Sequence, residues 1–169
     1  MTKSIRIAIL TVMSLTLLDQ LTKWLVALSI AQGTKGSAGI TIIPNIIYLG
    51  HTRNAGAAWG MFQGQMTFFI IITLVALAVF ITLARDLDFK KRTIFSIALT
   101  LLIAGAIGNF IDRLARGEVI DFIDTYIFGY DFPVFNVADI CLTIGMALFA
   151  FDMLVIEPRR EHSHENTQT

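Results

Sequence analysis

Four long apolar segments limit the architectures that this chain can adopt. They cover residues 5–30, 66–83, 93–111 and 137–156, and an α-helix needs about 20 such residues to cross a bilayer. Of the 169 residues, 55% are hydrophobic and 15% are charged, whereas a typical soluble domain carries about 25% charged residues. The sequence therefore predicts an all-α membrane protein with four transmembrane helices, folded as a single domain over residues 1–157.

Basic residues are distributed unequally between the two sides that four spans define. Eight lie on the side shared by the N-terminus, the loop at 84–92 and the C-terminus, and four lie on the other side. The eight are Lys3, Arg6, Arg85, Lys90, Lys91, Arg92, Arg159 and Arg160, and the four are Lys35, Arg53, Arg113 and Arg116. Because cytoplasmic loops carry the excess of Lys and Arg, both termini are predicted to be cytoplasmic. The polar tail at 158–169 is predicted to be disordered on that side.

The long outer segment between the first two spans contains a pattern typical of strands. Residues 40–43 and 46–49 are β-branched runs, and Pro44 and Asn45 between them favour a turn. This predicts a small extracytoplasmic β element lying on the membrane surface. The glycine- and alanine-rich run that follows, up to Gly60, would let a ligand backbone come close.

Polar residues gather at the outer membrane surface in this topology. Charged groups at the mouth of an apolar segment are costly, so such a gathering indicates a functional site. Spans one, three and four contribute Asp19, Lys23, Asn109, Asp112, Arg113, Asn136 and Asp139, and the outer loops contribute Asn54 and Asp121.

The third span presents small residues at every fourth position. Ser96, Thr100, Ala104 and Gly108 follow one another at this spacing, and the series continues to Asp112. Small residues four apart allow transmembrane helices to approach closely. One packed face of this helix is therefore predicted to lead up to Asp112.

The residue inventory excludes several kinds of catalytic site. His51 is the one histidine outside the polar tail, so a multi-histidine metal site is not available. Cys141 is interpreted as a packing residue. A serine–lysine pair would need Lys23 beside Ser29 or Ser37, and neither serine lies in a recognisable motif. A net charge of zero gives no indication of a nucleic-acid partner.

Two carboxylates remain as candidates for acid–base chemistry. Asp121 and Asp139 are joined by a segment, containing Gly129 and Pro133, that is interpreted as a loop. Two carboxylates that share a site cannot both ionise cheaply, so one keeps a proton while the other acts as a base. The alternative, from spacing alone, is that they are ordinary helix caps or interfacial carboxylates.

The other charged residues favour structural roles. Asp19 and Lys23 are four apart on one helix face and predict an ion pair, part of a polar contact between spans one and three. Asp112 and Arg113 are expected to pair with other partners. Three carboxylates are predicted to be solvated or interfacial: Asp124, Asp131 and Asp152.

Five runs in this order resemble those of the bacterial lipoprotein signal peptidases, also called signal peptidase II. They are DQLTK at 19–23, RNAGAAW at 53–59, GNFIDR at 108–113, VIDF at 119–122 and FNVAD at 135–139. The resemblance runs through nearly the whole chain up to the end of the fourth span. Trp59 stands where a phenylalanine is expected, a departure that affects no catalytic position.

The resemblance implies an aspartic endopeptidase that needs no metal or other cofactor. Its substrates would be prolipoproteins with a diacylglyceryl group on a cysteine, cleaved just before that cysteine at the outer face of the bacterial cytoplasmic (inner) membrane. The peptide antibiotic globomycin blocks enzymes of this family. The resemblance also implies catalytic roles for Asp121 and Asp139. The positions that match substrate-binding or site-shaping residues are Asp19, Lys23, Asn54, Asn109, Asp112, Arg113 and Asn136.

Membrane lipids are the other expected partner, and the protein is expected to act as a monomer. A second interpretation is a small transporter or assembly factor whose polar residues conduct ions or bind a partner. The position of the charges argues against it, because they gather at one membrane face instead of crossing the bilayer.

Overall fold

Helices follow the four apolar segments, so the fold class predicted from the sequence is confirmed. The computed structural model describes residues 2–56 and 61–159. The helices are α1 (Lys3–Ser29), α2 (Met66–Leu83), α3 (Thr93–Arg116) and α4 (Val137–Phe151), the last extended by a π-helical segment (Asp152–Ile156). Counted with the helical turns that directly follow α2 and α4, all four helices are long and apolar enough to cross a bilayer. The chain is a multi-pass membrane protein.

Local sequence sets the ends of the two helices that border the site. Gly117, with φ 79°, ends α3 in the left-handed conformation that glycine adopts without steric cost. Asn136 begins α4 with a capping box, in which its side chain accepts from the Asp139 amide and the Asp139 carboxylate accepts from the Asn136 amide. Because α3 continues past residue 111, Asp112 lies in its last turns and not in a loop.

Helix α3 is the centre of the bundle. In its most apolar stretch 61% of residues are buried, whereas none are buried in α2. The predicted packing face is confirmed, since every member from Ser96 to Asp112 at four-residue spacing is buried. A Cβ at Gly105 would lie 2.5 Å from the Ala138 carbonyl oxygen, so only glycine allows α3 and α4 to pack this closely.

The β element is larger than the sequence predicted. Its four antiparallel strands lie in the order β1 (Ile40–Ile43), β2 (Ile47–Asn54), β3 (Val119–Ile127) and β4 (Tyr130–Phe135). Strand β1 matches the predicted run at 40–43, whereas β2 continues past the predicted run at 46–49 as far as Asn54. The interpretation of the segment before α4 as a loop is wrong, since it forms the β3–β4 hairpin. Pro133 is accommodated because β4 is an edge strand.

Two carboxylates expected at the surface are buried instead. Asp124 is buried because residues 34–38 fold over it, and the Gly36 amide donates to its carboxylate at 2.7 Å. Asp152 is buried where the extension of α4 packs against the base of α3, and its oxygens have no hydrogen-bond partner among the described residues. Asp131 is exposed as predicted and pairs with Lys35 at 3.4 Å.

Part of the predicted tail and part of the outer loop lie beyond the described ranges. Pro158 and Arg159 belong to the last helical turn, contrary to the disorder predicted from 158 onward. The remaining tail, residues 160–169, and Trp59 fall outside the described residues. The disorder predicted for 160–169 and the single-domain boundary at 157 stay predictions.

Candidate active site

One asparagine joins the two carboxylates that the sequence singled out. Asp121 is the third residue of β3, and Asp139 lies in the first turn of α4. Asn136 Nδ2 donates to Asp121 Oδ1 at 2.7 Å, and Asn136 Oδ1 accepts from the Asp139 amide at 2.9 Å. The hairpin therefore returns the chain so that both aspartates border the same cavity of about 510 Å³.

Two further asparagines donate to the carboxylates from separate elements. Asn109 on α3 donates from Nδ2 to Asp139 Oδ1 at 2.7 Å. Asn54, the last residue of β2, donates from Nδ2 to Asp121 Oδ2 at 3.1 Å. These side chains fix the orientation of each carboxyl group while leaving both aspartates in contact with the cavity.

A buried ion-pair cluster lies behind the carboxylates, away from the cavity. Lys23 Nζ lies 2.8 Å from Asp19 Oδ2 and 2.9 Å from Asp112 Oδ2, and the lysine is fully buried. Arg116 pairs with the other oxygen of Asp112. Two positive and two negative charges therefore balance one another, which offsets the cost of burying them. The predicted Asp19–Lys23 pair and the contact between spans one and three are present.

The cluster also holds the backbone next to each site aspartate. Asp19 Oδ1 accepts from the amide of Ala138, the residue before Asp139, at 2.9 Å. Asp112 Oδ2 accepts from the amide of Ile120, the residue before Asp121, at 3.3 Å. The starts of α4 and β3 are thus tied to the same buried charges, an arrangement that sequence spacing did not reveal.

Lys23 also contacts the asparagine that donates to Asp139. Its ammonium donates to Asn109 Oδ1 at 3.0 Å, which leaves the Asn109 Nδ2 facing the carboxylate. Since three acceptors surround this ammonium, it is not arranged as the base of a serine nucleophile.

Arg113 lines the cavity and holds the chain that follows β2. Its guanidinium donates to the Gly56 carbonyl at 3.3 Å and lies 4.7 Å from the centre of the Phe69 ring on α2. The Gly56 amide in turn donates to Asn54 Oδ1 at 2.9 Å. Arg113 therefore supports the asparagine that contacts Asp121.

Sequence reasoning missed two residues that support the site. Phe69 lies in an apolar span, where nothing distinguishes it from a lipid-facing residue. Gln20 follows Asp19 in the DQLTK run at 19–23, and its place in that run was the sequence signal that could have identified it. Its Nε2 donates to Asp19 Oδ2 and to the Gly108 carbonyl, both at 3.1 Å, so it joins α1 to α3.

The environment of Asp121 changes its protonation. Burial and the neighbouring charge of Asp139 raise the pKa of Asp121 to about 7, while the hydrogen bonds from Asn54 and Asn136 oppose that change. A carboxyl group with such a pKa still carries a proton near neutral pH, so Asp121 can act as an acid there.

The rest of the cavity is apolar and opens beside α4. Cys141 does not line it and is buried, in keeping with a packing role. The polar residues form one end of the cavity, and the other walls come from β4 and the exposed side of α4. Those walls are Phe132, Pro133, Val134, Phe135, Ile140, Leu142, Thr143 and Ile144.

Comparison with known proteins gives consistent matches over most of the chain. A family model described as signal peptidase (SPase) II matches residues 11–155. The lipoprotein signal peptidase of Anoxybacillus flavithermus is 51% identical over 132 residues, covering 78% of this chain and 76% of the relative. The protein of the same name from Staphylococcus carnosus is 44% identical over 150 residues, covering 89% and 91%. A solved structure described as a bacterial membrane enzyme, determined by the in meso method at 2.3 Å, has a TM-score of 0.80 and 43% identity, covering 89% of this chain and 88% of that one.

Proposed function

Because this chain belongs to the signal peptidase II family, we propose that it removes signal peptides from prolipoproteins by an aspartic mechanism. Asp121 and Asp139 are the catalytic pair in this proposal. The observation that carries it is the pair of carboxyl groups, buried Asp121 and half-buried Asp139, bridged by Asn136 at the end of two transmembrane helices and beside an apolar cavity.

The two aspartates divide the acid and base roles. The raised pKa of Asp121 favours a protonated Asp121 beside a charged Asp139 near neutral pH. Asp139 takes a proton from a water molecule as the water oxygen attacks the scissile carbonyl carbon, and the carbonyl oxygen receives the proton of Asp121. The resulting diol then collapses: one hydroxyl returns its proton to Asp121, the C–N bond breaks, and the leaving nitrogen takes the proton from Asp139.

The surrounding polar residues position this pair and the peptide. Asn54, Asn109 and Asn136 hold the carboxyl groups. Asn54 and Asn109 also line the cavity, where their amides lie beside an extended peptide backbone in this proposal. The buried cluster of Asp19, Lys23 and Asp112 keeps the starts of α4 and β3 in register. In this proposal Arg113 shapes the site through its contact with Gly56.

The cavity suits a substrate that carries a lipid. A diacylglyceryl group on a cysteine would stay in the bilayer and set the depth of the adjacent peptide bond. The apolar walls from β4 and α4 lie on one side of the carboxyl pair, where an acyl chain or an apolar signal segment would enter from the membrane. In this proposal the cleaved bond is the one just before the lipidated cysteine.

The proposed orientation puts both termini in the cytoplasm and the site at the outer face of the bacterial inner membrane. The eight-to-four distribution of basic residues supports it. In intact cells, an impermeant thiol reagent should label a cysteine introduced at Ala38 and should not label one introduced at Lys90. The reverse labelling pattern would contradict the orientation. The buried Cys141 keeps the background low.

Asp121→Asn and Asp139→Asn test the catalytic assignment. Asparagine keeps the size of the side chain but neither takes a proton from water nor delivers one. Loss of general acid–base function costs about 10²- to 10⁴-fold in rate, and the double variant should be no slower than either single one. The assay is turnover of a lipidated precursor by purified protein in detergent, with and without a chelator.

Two controls make this test decisive. Binding of a globomycin-like inhibitor checks that each variant is folded, and Asp131→Asn removes an exposed carboxylate that pairs with Lys35 while leaving the rate unchanged. Near-normal cleavage by either folded single variant would exclude the aspartic pair. Loss of activity with the chelator would instead indicate a metal mechanism.

A further inference from the structure

One hydroxyl group stands in the apolar part of the cavity. Among the described residues of β4 and α4 that form the walls beyond the carboxyl pair, Thr143 alone has a polar side chain. It is exposed, and its neighbours on the same wall, Ile140 and Ile144, are 36% and 47% exposed. A few placed polar groups in an otherwise apolar pocket orient a ligand and give specificity. Thr143 therefore merits the same question as the carboxyl pair: which group of a ligand does it contact?

The hydroxyl of Thr143 has no hydrogen-bond partner in the described part of the chain. A helical threonine can donate to the carbonyl oxygen four residues earlier. Thr22, Thr73, Thr82 and Thr100 all do so, at 2.9, 2.7, 2.9 and 2.6 Å. Thr143 instead presents its hydroxyl to the cavity. Because an unpaired polar group among hydrocarbon is unfavourable, a ligand that supplies an acceptor there gains a hydrogen bond.

The place of Thr143 on α4 sets the depth of that acceptor. Thr143 follows Asp139 by four positions, so the two side chains share one face of the helix, and both line the cavity. A rise of about 1.5 Å per residue places Thr143 about 6 Å further along the axis. Since α4 begins at the site and runs into the bilayer, this displacement is towards the membrane interior. The acceptor therefore lies one helical turn deeper than the carboxyl pair.

An ester carbonyl is the group of a lipidated substrate that suits this position. The peptide carbonyls of a helical signal segment already accept from N–H groups of the same helix. The ester carbonyls of a diacylglyceryl group accept hydrogen bonds, and the group carries no donor of its own. The cysteine side chain and the glycerol carbons separate these esters from the cleaved bond by a length comparable to one helical turn. Depth and chemistry thus agree.

We propose that Thr143 is a specificity-determining residue whose hydroxyl donates a hydrogen bond to an ester carbonyl of the substrate's diacylglyceryl group. Thr143 takes no part in the proton transfers at Asp121 and Asp139. It distinguishes an acylated cysteine from one that carries hydrocarbon chains alone, because only the former supplies the acceptor. The identity of the substrate rests on the proposed function, whereas the free hydroxyl in the cavity does not.

The test compares two precursor peptides that differ only in the lipid linkage. One carries a diacylglyceryl group on its cysteine, and the other carries the dialkyl ether analogue, which keeps the chains and lacks the carbonyls. The kcat/KM of the parent in detergent should be about 2- to 10-fold higher for the ester, the range expected for one hydrogen bond. Thr143→Val keeps the branched shape without the hydroxyl and should lose this preference, whereas Thr143→Ser should retain it.

Thr82→Val is the matched control for Thr143→Val. Thr82 is an exposed helical threonine outside the cavity, and its hydroxyl is bonded to the Ala78 carbonyl. This variant should keep the full preference for the ester. Thr143→Val should melt no lower than the parent, because it removes no hydrogen bond within the described chain. A lower melting temperature would reveal an internal partner of the hydroxyl and overturn the inference.

Infrared spectroscopy separates the substrate from membrane lipid as the source of the ester. Carbon-13 ester carbonyls in the bound peptide should absorb at a lower frequency with the parent than with Thr143→Val. The same label in phosphatidylglycerol should show no difference between the two proteins when peptide is absent. A difference with labelled phosphatidylglycerol alone would assign the hydroxyl to membrane lipid and overturn the proposal.

Two kinetic results would also overturn the ester contact. Equal kcat/KM of the parent for both peptides would mean that no group in the protein recognises the carbonyl. A loss in Thr143→Val by the same factor for both peptides would assign the hydroxyl to the peptide instead.

Fluorescence anisotropy with labelled peptides keeps this test separate from the proposed function. A parent that cleaves neither peptide would refute the peptidase activity. If that parent still binds the ester more tightly, and Thr143→Val does not, the contact at Thr143 stands. Equal binding of both peptides by the parent would refute the contact as well.

Discussion

The raised pKa of Asp121 makes the stability of this protein depend on pH in a defined direction. Its ordinary value of 3.8 rises to about 7 in the fold, chiefly because the carboxyl group is buried and secondly because Asp139 is near. Between these two pH values the folded state binds more protons than the unfolded state. Stability therefore falls as the pH rises through that window.

The size of this effect follows from the same two values. The full window, about three pH units at about 1.4 kcal/mol each, corresponds to about 4 kcal/mol. Most of the loss occurs above pH 5, and integrating the linkage relation from pH 5 to pH 8 gives about 2.5 kcal/mol from Asp121 alone. Other titrating groups also change the free energy of unfolding of the parent protein with pH. The contribution of Asp121 is therefore measured as the difference in unfolding free energy between the parent and a variant that lacks this carboxyl group.

Asp121→Asn supplies that difference. The variant has no proton to lose at this position, but its amide has one acceptor where Asn54 and Asn136 offer two donors, at 3.1 and 2.7 Å. The donor left without an acceptor costs about 1–3 kcal/mol at every pH. The variant should therefore be less stable than the parent at pH 5, and the difference should close or reverse by pH 8.

The assay is reversible unfolding by titration with SDS from mixed micelles at pH 5, 6, 7 and 8. Asp131→Asn is the matched control, because that carboxylate is exposed and its removal should leave the pH dependence unaltered. Stability curves of Asp121→Asn and the parent that run parallel from pH 5 to 8 would refute the argument. The same pKa predicts that cleavage declines as the pH rises above about 7, when Asp121 loses its proton.

Three further substitutions test buried charge and close packing, two beside the site and one at the opposite end of α4. Lys23→Met leaves Asp19 and Asp112 buried with one fewer positive charge, so a loss of about 3–5 kcal/mol is expected in SDS titration; a change as small as that of the exposed control Lys35→Met would contradict it. Gly108→Ala places a Cβ 2.7 Å from Asp19 Oδ2 and should cost about 1–3 kcal/mol, and an unchanged melting temperature would show that α1 and α3 can separate without penalty. Asp152→Asn should raise the melting temperature by removing a buried carboxylate that has no hydrogen-bond partner within the described chain, and a lower value would point to a partner of that carboxylate.

The sequence predicted the spans because hydrophobic length is a local property. The same holds for the packed face of α3, where the spacing from Ser96 to Asp112 is visible without tertiary information. The Asp19–Lys23 pair was also predictable, because residues four apart on a helix must be neighbours. The contact of Lys23 with Asp112 could not be derived from spacing, since it needs α1 and α3 to pack at one particular register.

The second half of the sheet was missed for a physical reason. Strand β3 carries Asp121 and Asp124, which interrupt the alternation of apolar and polar residues that identifies a strand. Pro133 is also unfavourable in a sheet interior, and only an edge position permits it. The burial of Asp124 depends on Gly36, which is distant in sequence, so the local pattern predicted a solvated carboxylate.

The buried charges and the two site carboxyl groups are joined through Asn109. Its Oδ1 accepts from the Lys23 ammonium at 3.0 Å, and its Nδ2 donates to Asp139 at 2.7 Å. An aspartate at position 109 would accept from the Lys23 ammonium but would repel the Asp139 carboxylate. A leucine at that position would hydrogen-bond to neither group. An amide presents an acceptor on one side and a donor on the other, so a lysine fully buried behind the site can orient a hydrogen bond to Asp139 without placing its charge in the cavity. In the proposed mechanism, Lys23 does not contact the substrate and yet sets the geometry of Asp139, which does.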